Sequence, residues 1–362
     1  MTKEGAIRAA GCGWQMATAR PQGEAVRLFI LENVASHPSD IAKRAANRFH
    51  ITRQAVHKHL RRLVEEGILT ESGQTRSHSY GLAVLSRWQR SYPIQAGLAE
   101  DILWTQDIRP VLGGLPDNVL RLWQHGFTEM FNNAIDHSAG GQVHVEIRQT
   151  AADTEMIIAD DGVGIFRKIQ KQLGLLDERH AILELSKGKL TTDPTHHTGE
   201  GIFFTSRMFD TFDILSGGVS FSHADGEAND WIRDNPQFQN GTTVWMRLRN
   251  QTSRTTKKIF DEYVSGEDYD FSRTVVPVVL AQYVGDPLIS RSQAKRVLAR
   301  VELFRIVVFD FSQIDSIGQA FADEIFRVFA QSHPEIELQF IHANTSVGKM
   351  IARARAHRRA ES

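Results

Sequence analysis

Apolar residues recur at helical spacing in three short runs early in the chain. The run Ala25 to Ala35 carries Val26, Phe29, Ile30, Leu31 and Val34, which predicts a first helix. Ser39 reads as an N-cap for a second helix over Asp40 to Arg48, and Thr52 as the cap of a third over Arg53 to Glu66. Val56, Leu60, Leu63 and Val64 form the apolar stripe of that third helix. Gly67 ends it, and Ile68 to Glu71 with Ser79 to Leu82 predict a hairpin. Further along, Val143-His-Val-Glu-Ile147 alternates as a strand and Met156-Ile-Ile-Ala159 reads as another, following a helix around Glu129. Two polar, glycine-containing stretches, Ser186 to Glu200 and Gly217 to Asn240, are expected as long functional loops. Near the end, Phe304 to Phe311 and Ile336 to Ile341 read as strands on either side of a helix Gln319 to Phe329, with a last helix from about Ser346.

Composition narrows the class. A chain of 362 residues with 41% hydrophobic and 23% charged content is expected to form two or three soluble globular domains. The net charge of −1 gives no global preference for nucleic acid or membrane, yet residues 21–85 hold nine Lys/Arg against six Asp/Glu. Cys12 is the single cysteine, which excludes an internal disulfide framework and most zinc modules. Met1 to Arg20 has no apolar run of signal-peptide length, and nowhere do 18 apolar residues run together. The expectation is a cytoplasmic protein with no membrane partner.

The chemistry concentrates in Glu129-Met-Phe-Asn-Asn-Ala-Ile-Asp-His137, where Glu129, Asn133 and His137 fall at i, i+4 and i+8 on one helix face. A side-chain amide can ligate Mg²⁺ while a carboxylate one turn away orients a water or hydroxyl. Ile158-Ala-Asp-Asp-Gly-Val-Gly-Ile165, His197-Thr-Gly-Glu-Gly-Ile202 and the strand-like Gly241-Thr-Thr-Val-Trp-Met-Arg-Leu248 follow. In that order and spacing the four segments resemble the Bergerat ATP-binding fold of gyrase B, Hsp90, sensor histidine kinases, MutL and the anti-sigma-factor serine kinases. The resemblance implies ATP and Mg²⁺ as cofactors, with Glu129 as catalytic base and Asn133 as metal ligand. It also implies that Asp161 accepts the adenine amino group, that Gly162 and Gly164 pass close to the base, and that Thr242 lies near it. Gly199 and Gly201 would open a phosphate-facing helix over Ile202 to Phe209, and Asp136 and His137 would flank the nucleotide. His197 stands where many relatives carry a glycine.

The first three helices and hairpin resemble a winged helix-turn-helix. Arg53, Gln54, His57, Lys58 and Arg61 on the outer face of the third helix, with Arg76 and His78 on the wing, are the expected DNA contacts. The bland alternative is a solvated helix face on a protein-docking module. The final segment, strand, Asp315-Ser-Ile-Gly318 turn, helix, strand and helix, resembles a STAS-like domain and implies a protein partner. The expected fold class is therefore multidomain, α+β and α/β. A winged helix at 21–85 leads through a helical connector at 86–122 to a Bergerat α/β sandwich at 123–252 and a STAS-like α/β domain at 266–355. Trp88, Trp104 and Trp123 are expected to pack domains together.

Three functions follow from these parts. One is an ATP-responsive, DNA-binding transcriptional regulator in which nucleotide state controls domain arrangement. The second is a serine kinase of the anti-sigma-factor type, and the third a dimerising ATPase clamp. The connector holds no histidine to serve as a phosphoacceptor, and the STAS phosphoacceptor place is occupied by Ile317 beside Ser316. Only the regulator uses the winged helix.

Overall fold

Thr52 caps the helix that follows it, its hydroxyl accepting the Ala55 N–H at 3.2 Å. A computed structural model describes residues 21–74, 77–190, 199–225, 230–235, 240–265, 270–282 and 287–361. Two units separate at Leu85, the second also excluding residues 150–152. The first contains α1 (Pro21–Asn33), α2 (Ile41–Phe49), α3 (Arg53–Glu65) and the antiparallel hairpin β1 (Leu69–Ser72) and β2 (Ser79–Leu82). Val26, Ile30, Ile41, Val56, Leu60 and Leu63 form its buried centre. The N-cap of α2 falls on Asp40 rather than Ser39.

The second unit opens with β3 (Ser86–Pro93), then α4 (Glu100–Leu103), a π-helical turn (Trp104–Ile108), α5 (Arg109–Leu112) and α6 (Asp117–His137). The connector expected to be helical thus begins as a strand. It is polar apart from Trp88 and Tyr92, and it pairs antiparallel with β4 (Gln142–Gln149) as the edge of a sheet. After β5 (Asp153–Asp160) come α7 (Ile165–Leu173), α8 (Glu178–Lys187) and α9 (Gly201–Met208). Strands β6 (Thr211–Ser216), β7 (Val219–Ala224), β8 (Trp231–Asp234) and β9 (Thr242–Arg249) complete seven antiparallel strands in the order β3-β4-β5-β9-β6-β7-β8. The stretch 217–240, expected as a loop, therefore supplies two strands of this sheet. Period-two alternation buries Val143, Val145, Ile147, Met156 and Ile158 on one sheet face, in the core that also holds Trp123, Phe127 and Phe131 of α6. Trp104 and Trp123 lie inside that core, so they do not join separate domains.

A short α10 (Thr256–Tyr263) and the hairpin β10 (Val264–Ser265) and β11 (Asp270–Phe271) lead to three parallel strands, β12 (Arg273–Pro277), β13 (Ile306–Asp310) and β14 (Glu337–Ile341). Around this sheet lie α11 (Arg291–Leu298), α12 (Gln319–Asp323), a π-helical turn (Glu324–Phe329), α13 (Ala330–Ser332) and α14 (Thr345–Glu361). Neither β12 nor α11 was expected. Among the described residues no helix is long and apolar enough to cross a membrane.

Candidate functional site

Helix α6 crosses the sheet so that one face, carrying Met130, Asn133, Ala134 and His137, looks into a cleft. The cleft is narrow, with room of about 30 Å³ between residues of α6, β5, β6, β9 and the starts of α7 and α9. Its floor is apolar, with Ile158, Ile165, Ile214 and Val244, and its polar lining includes Asp160 and Thr242. Such a slot suits a flat, apolar-faced heterocycle with a polar edge.

Asp160 is the half-buried carboxylate of this site. Its Oδ1 accepts the Gly162 N–H at 2.9 Å and the Thr242 N–H at 3.2 Å. Burial raises its carboxyl above the usual range, while those backbone bonds and the Thr242 side chain oppose the rise. Asp161, the residue expected at the base, turns the other way. Its Oδ1 accepts Gly141 N–H at 2.7 Å and Gln142 N–H at 3.0 Å, outside the cleft. Those N–H groups hold its exposed carboxyl below the usual range. The physical reason is the strand period: Asp160 ends β5, and consecutive side chains project to opposite sides. Counting back two residues from Gly162, in the pattern Asp160-x-Gly162-x-Gly164, identifies the inward carboxylate.

The glycine run fits by close approach. Val163 donates to the Ser138 carbonyl at 2.9 Å, and a Cβ on Gly162 would collide with that carbonyl. Gly164, in the left-handed region at φ 87°, precedes α7, and the Thr242 hydroxyl accepts the Ile165 N–H at 3.0 Å. Asp136 is exposed and outside the cleft, beside Lys168, whose Nζ donates to the His137 carbonyl at 2.9 Å. Burial lowers the Lys168 ammonium, and the Asp136 charge opposes this.

Glu129 lies one turn before Asn133 and faces the start of α9: a Cβ on Gly201 would collide with its carboxylate. Leu190 donates to the Gly199 carbonyl at 3.1 Å, two residues before the start of α9. His197 lies outside the described residues. No group of three His, Cys, Asp or Glu side chains among the described residues can hold a metal. A divalent cation here would therefore take Asn133 and ligand phosphates, as Mg²⁺ does with one or two protein ligands.

Two family models match this chain. Residues 118–252 match the histidine kinase-, DNA gyrase B-, and HSP90-like ATPase, and residues 293–347 match a STAS-like domain of unknown function. The chain carries a GHKL-type ATPase domain followed by a STAS-like domain. ATPase domains of this kind bind ATP, usually with Mg²⁺. No curated protein matches the chain. The first unit lies outside both matches. On its α3, Arg53, Gln54, His57, Lys58 and Arg61 are all exposed, whereas His78 is half-buried beside Glu71 at 3.4 Å. Arg76 lies outside the described residues.

Proposed function

We propose that the protein is a Mg-ATP-binding transcriptional regulator whose N-terminal unit is a winged helix that reads DNA. In the cleft, Asp160 accepts the adenine amino group, with Thr242 beside it, and the apolar floor holds the ring. Asn133 ligates Mg²⁺ and His137 flanks the nucleotide. The α9 amides beyond Gly199 and Gly201 face the phosphates, and Glu129 orients the attacking water. The observation that carries this reading is the half-buried carboxylate of Asp160 at the polar edge of an apolar slot, facing the helix that bears Asn133. The DNA-reading half is supported by five hydrogen-bonding side chains exposed together on α3, in a segment with nine Lys/Arg and six Asp/Glu. His78, paired with Glu71, serves as a wing contact with DNA phosphate.

Ser316 favours a second reading. It is exposed in the turn of the STAS-like domain, next to the buried Ile317 that fills the family's phosphoacceptor place. A kinase of the anti-sigma-factor type would label it or a partner's serine. Incubation of the purified chain with γ-labelled ATP separates the two readings. Free phosphate or unreacted bound nucleotide supports the regulator, and label on protein supports the kinase. Absence of any nucleotide binding would refute both.

A further inference from the structure

The helix between the nucleotide cleft and the STAS-like domain is tied at both ends. At its start Glu178 accepts the Gly218 N–H at 3.1 Å and pairs with Arg167 of α7 at 3.2 Å, next to the cleft. At its end lies Lys187, only 1% exposed. Its ammonium donates to Glu184 at 2.7 Å, to the Ala299 carbonyl at 2.6 Å and to the Arg296 carbonyl at 3.3 Å. All three protons of the ammonium are thus used, two of them on carbonyls at the end of α11 in the STAS-like domain. The Thr274 hydroxyl of β12 donates to the Lys187 carbonyl at 2.6 Å.

Two residues later Arg300 donates to the Lys189 carbonyl. Lys189 at φ 52° and Arg300 at φ 63° are both in the left-handed region without being glycine. Such conformations persist where the surroundings over-determine them. The chain then reaches Leu190, whose N–H donates to the Gly199 carbonyl, two residues before Gly201, which lies against the Glu129 carboxylate. On the return side, Phe203 and Phe204 of α9 pack on Phe271 at 4.7 and 4.9 Å between ring centres. A buried charge placed here only for stability is seldom worth more than an apolar residue. Its use of donors across the junction points to register between the two domains.

We infer that the STAS-like domain positions the nucleotide site: Lys187 and Arg300 hold the stem, from Lys187 to Leu190 and back through Gly199, that carries Gly201 and α9 to the phosphates. Nucleotide occupancy and the seating of the STAS-like domain are therefore coupled, and a protein that pulls that domain from α8 lowers nucleotide affinity. The inference rests on the ATP reading above. Lys187 and Arg300 are positioning residues and touch no nucleotide.

The test uses the full chain. Lys187→Met leaves the buried Glu184 with only the longer Arg300 pair at 3.7 Å and is prone to unfolding, so Arg300→Ala, at a partly exposed side chain, carries the measurement. Val347→Ala, in a buried position on α14 away from the junction, is the control for general destabilisation. Mg-ATP affinity and Tm are measured for each. Arg300→Ala is expected to weaken Mg-ATP binding at least about 10-fold, a coupling within the usual range. Arg300→Lys is expected to recover part of the loss, and Val347→Ala to lower Tm without moving affinity. Equal affinity in Arg300→Ala and the parent, or losses in both variants that merely track Tm, would overturn the inference and leave the ATP reading standing. A parent chain that binds no Mg-ATP would remove the reading itself, and this inference with it.

Discussion

Replacing Asp160 by Asn tests the nucleotide site at the residue on which it turns. The amide can keep its oxygen on the Gly162 and Thr242 N–H groups, now at 2.9 and 3.2 Å, so the loop retains its geometry. Its NH₂ then faces the adenine amino group, donor against donor. A hydrogen bond to a charged group contributes about 1.5–3 kcal/mol, which corresponds to roughly a 10- to 150-fold weaker Kd. Stability should move the other way. Because burial raises the folded-state pKa of Asp160 above the ordinary aspartate value, ionisation costs the folded state free energy, and that cost grows as pH rises through the folded pKa. The Asn variant escapes it, so its Tm at neutral pH is expected to equal or exceed the parent's. Calorimetric titration with Mg-ATP and thermal denaturation of the apo chain read the two effects separately. Asp161→Asn, whose side chain lies outside the cleft, should leave affinity unchanged. Parent-like affinity in Asp160→Asn, or a larger loss in Asp161→Asn, would refute the assignment.

Glu129→Ala is expected to retain nucleotide and lose turnover by about 10²–10⁴-fold, measured as phosphate release; an unchanged rate would remove the base role. Changing Arg53 and Lys58 together to Ala should weaken binding to DNA fragments and reduce the slope of log affinity against log salt by about two. A slope unaffected by the double substitution would favour protein docking by α3. His125 is half-buried on α6 and its pKa is lowered by desolvation from 6.5 to about 4. A depressed histidine is charged only on unfolding over this interval, so stability falls as pH drops from about 6.5 to 4, by up to roughly 3 kcal/mol. Denaturant melts of His125→Leu across that interval should be flatter than the parent's, and identical slopes would exclude the histidine as the cause.

Local patterns carried the sequence reading as far as local physics decides structure. The segment from Glu129 to His137 was legible because i, i+4 spacing alone places Glu129 and Asn133 on one face, and α3 because a capping Thr52 precedes a regular apolar stripe. Asp160 and Asp161 show where such reading stops. Two adjacent carboxylates are equivalent as letters, and only the strand phase, with β5 pairing β9 through Asp160 and Thr242, selects the inward one. The edge strand β3 resembled a helix because it is polar but for two aromatics, and its partner β4 lies some 50 residues on. The parallel strand β12 needed β13, reached only through α11. Lys187 is the strongest case. By composition it is a surface lysine ending a helix, yet its carbonyl partners lie 109 and 112 residues later in the chain. No window of sequence contains both sides of that junction. The residues proposed to bind nucleotide can therefore be approached from short motifs, whereas those proposed to couple that site to the STAS-like domain become visible only when the chain is folded back on itself.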